Sequence, residues 1–518
     1  MRKECLSSAV FFFLHTILAV YSTCNQDKCI ILPNENTKLE CSGAGCTEVY
    51  KGQGAGTLRN VDLSNNEITE VPLLDYAAAL TLNLSNNRIN SVADSAFSKC
   101  TTLVVLDLSN NLIETIDSIQ LAGLHSLTFL DLSFNQLSLL DHATFDFGII
   151  GDLSKLDLSN NRISIIKTTA INDMKSLRSL HLDHNNLTNI TSQHFVGLGN
   201  LTRAYFNDNK ITTIPKEFLY DCTKLMELDL QNNQIASIEP EAFSKLALLE
   251  KLNLKRNHLT GLPSGLFSPP NLLDLYLDGN QFTEISPDLF YDCSARKISL
   301  IGLDKLKVVK NGSFISAPNV QTLDISHCGQ LVHVEVNAFG MNSSRLKALD
   351  LSNNRLQFLP ASLLNWKIVE KVDLSSNPWH CGCPLEWVLH EDVRLLHSQD
   401  TKCATPDYLK EHPVKQLHKD DFRCWKTRNY SSSSRLLSNK AIMLYAAVIV
   451  VICLLAVTGV VMIWRRLRRR LTHPPDVTSR YTSLLNAEDG EERTPPVPDR
   501  DNIPEEKRKL TDPDPDDV

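Results

Sequence analysis

The stretch Leu103-Val104-Val105-Leu106-Asp107-Leu108-Ser109-Asn110-Asn111-Leu112-Ile113 decides the fold, because its pattern, L-x-x-L-x-L-x-x-N-x-L/I, returns along most of the chain. Leu225 to Ile235 is a second clear copy, and further copies start at Leu58, Ala79, Leu127, Leu153, Leu177, Leu201, Leu249, Leu272, Ala295, Val320, Leu346 and Val369. That makes fourteen starts, most of them 23 to 26 residues apart. A unit this short cannot enclose its own apolar side, so its leucine positions must pack on the same positions of the next unit. The core becomes a long stripe, the strand segments line up as a parallel sheet, and the residues between the leucines point outward.

The expected fold is therefore an α/β-type solenoid, a leucine-rich-repeat horseshoe of about 14 repeats over residues 58–376 with its parallel sheet on the concave face. The asparagine at the ninth position is read as structural, because its side chain can satisfy backbone groups at the bend after each strand. Phe97, Phe145, Phe195, Phe218, Phe243, Phe267, Phe290, Phe314 and Phe339 recur late in the repeats and are expected to stack as an aromatic seam on the returning side. Cys100, Cys222 and Cys293 occupy a slot that holds Leu124, Leu198 or Leu246 elsewhere and read as small buried hydrophobes. Cys328 stands in the asparagine slot of its repeat, where a thiol still bonds the backbone weakly. The repeat from Ala295 has Leu303 in that slot, and a distortion that kinks the arc is expected there.

The flanks indicate a compartment. Residues 1–23 carry Arg2 and Lys3, an apolar run from Ala9 to Val20 and small residues at Ser22 and Thr23, the pattern of a secretory signal peptide. Residues 441–464 hold no charge in 24 residues, enough helix to cross a hydrocarbon core of about 30 Å, and Arg465, Arg466, Arg468, Arg469 and Arg470 follow on the side expected to be cytoplasmic. The expectation is a single-pass, type I protein of the plasma membrane with its repeats outside. Cys24, Cys29, Cys41 and Cys46 precede the repeats in an amino-terminal cap (24–57), and Cys381, Cys383, Cys403 and Cys424 follow them in a second cap (377–424). In an oxidising compartment these quartets read as disulfides; zinc is the alternative chemistry for such groups.

Asn377-Pro378-Trp379-His380-Cys381-Gly382-Cys383-Pro384-Leu385-Glu386-Trp387, with Cys403 and Cys424 downstream, resembles the carboxy-terminal cap of animal extracellular leucine-rich-repeat proteins. The resemblance covers residues 24–424 and implies bridges from Cys381 to Cys403 and from Cys383 to Cys424. The amino-terminal cap departs from the tight cysteine spacing usual in that group and leaves its pairing open. In the group such ectodomains act as receptors and adhesion molecules, among them Toll-like receptors, axon-guidance receptors and trophoblast-glycoprotein-like proteins.

Enzyme chemistry is not expected. Histidines and carboxylates are scattered over solvent-facing positions, and no phosphate-binding glycine loop, nucleophile elbow or metal-spaced pair stands out. No cofactor is called for. The net charge of −8 gives no reason to expect nucleic acid. The 54 residues after the apolar stretch are too few for a kinase or Toll-type signalling domain.

Binding then falls to the outward positions of the sheet. Many repeats fill them with a plain Asp-Leu-Ser-Asn string, as at Asp107, Ser109 and Asn110. The sixth to tenth repeats break that uniformity with His181, Asp183 and His184, Tyr205 and Asp208, Glu227 and Gln231, Lys255 and Arg256, and Tyr276 and Asp278. Aromatics beside mixed charges make a candidate ligand patch, set against simple drift of solvated positions. His181, Asp183 and His184 read as a surface cluster, with metal binding or pH sensing as the sharper alternatives. Phe129 and Phe134 form a second patch in the fourth repeat.

Seven Asn-x-Ser/Thr sequons, at Asn83, Asn186, Asn189, Asn200, Asn311, Asn342 and Asn429, are candidate glycosylation sites, and Asn83 faces the concave side by register. A serine-rich spacer, residues 425–440, leads to the apolar stretch. The tail, 465–518, is rich in proline and acid and is expected to be disordered. Tyr481, Leu484 and Leu485 resemble an endocytic sorting signal, and the terminal Val518 resembles a PDZ ligand, so adaptor and PDZ proteins are the candidate tail partners. The function expected is that of a cell-surface glycoprotein whose repeats bind a protein or glycan ligand as receptor or co-receptor, immune recognition included. The alternatives are cell–cell adhesion and an auxiliary subunit of another receptor or channel.

Overall fold

The computed structural model describes residues 29–422, apart from 32–36, 52–54, 142–143, 146–150, 173, 264–265, 267–269, 341–344 and 391, together with 462–464. The chain divides into two compact units, Met1–Asn429 and Tyr430–Val518. In the second, Met462–Trp464 are helical. Among the described residues no helix is long and apolar enough to cross a membrane. The expected signal peptide, most of the expected span, Cys24, Cys424, Asn342, Asn429, Phe267 and the tail signals at Tyr481, Leu484, Leu485 and Val518 lie outside the described residues.

The first unit is a solenoid. Fourteen three-residue strands, one per repeat from Asn60–Asp62 to Lys371–Asp373, pair in parallel without a register slip. Each buries its middle residue and turns the flanking two outward, as Val105, Leu106 and Asp107 do. The caps continue the same sheet: Lys38–Glu40 joins the first repeat in parallel and is paired antiparallel with Ile30–Ile31, while Leu395–Leu396 adds to the last repeat. Cys29 is bridged to Cys41 and Cys381 to Cys403, the second being the bond implied by the carboxy-terminal motif. Cys46 and Cys383 are also disulfide-bonded.

Asparagine binds each turn to the one before it. Asn111 donates through Nδ2 to Leu108 O (3.0 Å) and Ser109 O (3.1 Å) in its own repeat and to Leu84 O (3.0 Å) in the preceding one, and its Oδ1 accepts from Ile89 N (2.9 Å). Asn135, Asn161, Asn185, Asn209, Asn233 and Asn257 repeat the arrangement. In the Cys328 slot the thiol donates to Leu300 O (3.4 Å) and Ser326 O (3.5 Å). Burial raises its pKa to about 12, so it stays a thiol at neutral pH. Cys100, Cys222 and Cys293 are buried and unbridged. The phenylalanine seam packs edge to face at Phe195 and Phe218 (5.6 Å) and face to face along Phe290, Phe314 and Phe339 (5.1 and 5.5 Å).

The distortion expected at Leu303 does not reach the strand register. Lys297–Ser299 pairs in register with Asp274–Tyr276 before it and Thr322–Asp324 after it, and Leu303 is fully buried. An apolar side chain fills the slot and leaves the register intact, because the sheet hydrogen bonds do not depend on the asparagine.

A second, lateral set of two-residue strands forms short ladders rather than one long one: Glu70–Val71 with Ser91–Val92, Leu139–Leu140 with Ile165–Ile166, Thr213–Ile214 with Ser237–Ile238, and Glu284–Ile285 with Val308–Val309 and His333–Val334. Within a ladder the residue after each strand donates back to the previous repeat, as Glu239 N does to Ile214 O (2.9 Å) and Glu335 N to Val309 O (2.9 Å). At several breaks between ladders that N–H is lost. Pro263 and Pro360 hold the slot at two breaks. At two others the amide turns to a side chain, Thr191 N to His194 Nδ1 (3.3 Å) and Asp117 N to Gln120 Oε1 (2.9 Å).

Candidate functional site

The outward face of the main sheet carries three rows of side chains, two from each strand and one from the residue after the next leucine, with a rim of turn residues beyond. The candidate residues fall into these rows. His181, Tyr205, Glu227 and Tyr276 lie on strands; Asp183, Gln231, Lys255 and Asp278 form the third row. His184, Asp208 and Arg256 sit on the rim, in the left-handed turn conformation (φ 54°, 57° and 52°). The candidates thus occupy a face and an adjoining edge rather than one plane.

Most of them touch. The His181 ring stacks on Tyr205 with centroids 4.5 Å apart, and its Nε2 meets Ser179 Oγ at 3.0 Å. Tyr205 donates its hydroxyl to Glu227 Oε2 (3.1 Å), and Lys251 Nζ donates to Glu227 Oε1 (2.6 Å). Asn253 donates to both Asp229 Oδ2 (3.0 Å) and Gln231 Oε1 (3.2 Å). Lys255 Nζ lies 2.9 Å from Asp278 Oδ2 and 4.5 Å from the Tyr276 ring centre, with Lys297 Nζ 5.0 Å from the same centre. On the rim, His184 links Asp183 (Nδ1 to Oδ2, 3.0 Å) to Asp208 (Nε2 to Oδ2, 3.4 Å). Among the described residues no cluster of three or more His, Cys, Asp or Glu side chains could hold a metal ion.

Burial and pairing set the charges. Burial pushes the His181 pKa down, against the pull of Asp157 4.0 Å away, and so favours the neutral ring. Burial and then Glu227 raise the Tyr205 hydroxyl. For Glu227, burial works against the charge, but the bonds from Lys251 and Tyr205 outweigh it and hold the carboxyl below its ordinary value.

At the first strand position of these repeats sequence reading named Glu227 and Phe129 and missed the lysines. Lys155, Lys251 and Lys297 stand there and supply the cations of the network, Lys155 lying 4.6 Å over the Phe129 ring and 3.5 Å from Asp157. The signal was present as the column Phe129, Lys155, Ser179, Arg203, Glu227, Lys251, Asp274, Lys297, which departs from the common repeat as strongly as the rows beside it. Of the second patch, Phe134 is exposed, whereas Phe129 is half-buried under Lys155.

Among the sequons, Asn189 and Asn311 are exposed and Asn186 and Asn200 are half-buried. Asn83 faces outward from its strand, its Oδ1 accepting from the hydroxyl of its own sequon's Ser85 (2.7 Å).

Comparison with known proteins agrees with this architecture. Family models described as leucine rich repeat match residues 80–137, 152–203, 205–259, 247–304 and 345–366. Leucine-rich repeat-containing protein 3 of Danio rerio is 37% identical over 129 residues, 24% of this chain and 46% of that protein. Leucine-rich repeat-containing protein 3B of Homo sapiens is 30% identical over 144 residues, 28% and 46% of the two chains. The chain spans about half the length of these curated relatives. A solved structure of the glycosylated Toll–Spatzle complex, described as a hub of Drosophila development and innate immunity, is 19% identical, with 73% of this chain and 53% of that one covered and a TM-score of 0.53. The functional domain of InlJ from Listeria monocytogenes is 18% identical, with 71% and 78% covered and a TM-score of 0.50. At such identities the two structures show the fold alone.

Proposed function

We propose, from the premise that this chain is a leucine-rich-repeat protein, that it captures a protein partner through the outward sheet face of repeats five to eleven. The observation that carries the proposal is the continuous network from Lys155 to Lys297. Its aromatic and charged side chains are already fixed by one another, as at His181 on Tyr205 and Lys255 on Asp278 and Tyr276. A partner docking there orders few new rotamers, a cost of about 0.5 to 1.5 kcal/mol per immobilised side chain on a loose surface. Tyrosines set among neutralised charges are the residue types that anchor protein interfaces.

The setting proposed for this activity is the cell surface, as a type I glycoprotein acting as receptor or co-receptor. Support comes from the bridged caps, which require an oxidising compartment, and from the uncharged stretch 441–464 with its arginine flank. The tail then serves trafficking or scaffold attachment, and catalysis plays no part. Proximity labelling from the full chain on intact cells tests the whole reading, with a Tyr205→Ala, Lys255→Ala, Tyr276→Ala variant as control. Enrichment of one extracellular protein by the wild type, lost in the variant, is the expected result. Labelling unchanged by the three substitutions would remove the face from the reading, and enrichment of this same chain on neighbouring cells would turn the receptor into an adhesion molecule.

A further inference from the structure

Repeats ten and eleven depart from the pattern at several places that the backbone does not require. The rim position holds Asp208, Asn232 and Arg256 in repeats seven to nine and His327 and Asn353 in twelve and thirteen, all with φ between 52° and 58°. Repeats ten and eleven have Gly279 and Gly302 there instead, both with φ of 66°. A Cβ placed on Gly302 would have no atom within 4 Å, so nothing packed against it demands a glycine, whereas one on Gly279 would lie 3.3 Å from Arg256 Cγ, and the open space is therefore at Gly302. Beside it the third row, which runs Asn207, Gln231, Lys255 and Asp278, turns apolar at half-buried Ile301 and returns to polar at Ser326. The rim therefore drops away next to Tyr276 and Ile301, and the register is unbroken across the notch.

Charge around the notch is uneven. Lys255 and Lys297 share the Tyr276 ring, and Asp278 pairs with Lys255. Asp278 spends its other oxygen on Ile301 N (2.9 Å). Asp274 stands between Lys251 and Lys297 in the strand register. Yet among the described residues no carboxylate ion-pairs with Lys297, whose ammonium rests on Tyr276 instead, 3.5 Å from its hydroxyl. Among the described residues Arg256 on the near rim forms no ion pair within 4.0 Å, and its charge acts on Asp208, helping to hold that carboxyl below its ordinary value.

We infer that this notch is the anchoring point for an acidic segment of the partner protein, one in which an Asp or Glu adjoins a large apolar side chain. The carboxylate meets Lys297, and the apolar neighbour lies over Tyr276 and Ile301 in the space beside Gly302. The inference rests on the proposed protein-binding face and names the chemistry it selects.

The test uses the full chain displayed on cells, a random-peptide phage library as the probe, and two variants. Gly302→Asn fills the notch with the residue that other repeats already hold in this turn at positive φ (Asn232, Asn353), and its surface level against wild type checks that it folds; Lys297→Gln removes the unpaired cation. Selected peptides are expected to place Asp or Glu beside an aromatic or aliphatic residue and to bind each variant at least about tenfold more weakly than wild type, a difference of about 1.4 kcal/mol. Peptides without acidic residues, or peptides that bind both variants as tightly as wild type, overturn the inference. Tyr205→Ala separates the two levels: peptides lost with that substitution but indifferent to the notch variants sink the inference alone, and peptides indifferent to all three sink the face as well. Competition by free N-acetylneuraminic acid but not by polyglutamate would identify a glycan acid and overturn the protein-segment assignment.

Discussion

At the residue scale the asparagine slot shows how a repeat is closed. Asn209 donates to Leu182 O, Phe206 O and Asn207 O and accepts from Leu187 N, all at 2.9 to 3.3 Å. Asn209→Ala strands these groups in a buried site, and since each unsatisfied polar group costs about 1 to 3 kcal/mol, a loss of about 3 kcal/mol in local stability is expected, measured by amide exchange of repeats six and seven. Two histidines give opposite pH dependences. Burial lowers His181, so its contribution is full above the unfolded value near 6.5 and is lost as pH falls through the folded pKa. His397 is raised by its hydrogen bond to Asp373 (2.7 Å) and then by that carboxylate's charge, so its contribution is full below 6.5 and is lost as pH rises through its folded pKa. Thermal midpoints followed over pH should lose the acid-side fall in His181→Gln and the alkaline-side fall in His397→Gln. The sequence made the asparagine's role readable because it repeats. It hid the His397 contact with Asp373, because that pair joins the cap to the last repeat across 24 residues with no periodic signal.

At the element scale the main strands were legible in full, since the leucine pattern fixes which residue of each three-residue strand goes inward. The lateral ladders were not. Their two-residue strands carry no pattern of their own, and what limits them is the availability of one N–H per repeat, which Pro263 and Pro360 remove. The register holds at Leu303 for a related reason: the strands are held by backbone bonds and the buried leucine fills its slot, so a missing side-chain bond leaves the pairing alone. Glu239→Pro should cut the Thr213–Ser237 ladder at a cost of about 1 to 2 kcal/mol, the worth of the N–H bond to Ile214 O and of the bond that the Glu239 carboxylate accepts from Lys216 N. The cost stays under the roughly 3 kcal/mol of a proline inside a helix, because Pro72, Pro215, Pro263 and Pro360 already occupy the slot elsewhere. Faster amide exchange at Ile238, with the main sheet unaffected, is the readout.

At the scale of the whole molecule, stacking places side chains from successive repeats about 4.8 Å apart, so residues some 24 positions distant in the chain become neighbours. This is why the candidate face could be nominated from sequence while its network could not: Tyr205 and Glu227 were both singled out, but their hydrogen bond, and the lysines at 251 and 297 that complete the set, depend on side-chain lengths across strands. Combined replacement of Tyr205, Lys255 and Tyr276 by Ala should weaken partner capture by more than about 2 kcal/mol in total, measured by titration of the labelled partner on cells. Affinity within a factor of about two of wild type, in a variant that reaches the surface, would assign binding to another part of the solenoid.

The asparagine bonds also have a direction. Each one completes the turn before its own: Asn66 reaches back to Cys41 and Cys46 in the amino-terminal cap, and Asn377 reaches back to Leu351 and Leu356. During synthesis the repeat most recently out of the ribosome therefore always waits on its successor, and order must spread from the amino end one turn behind the growing chain. A ribosome-held fragment ending after Leu187 should leave the sixth repeat open to proteolysis, and one extended past Asn209 should protect it.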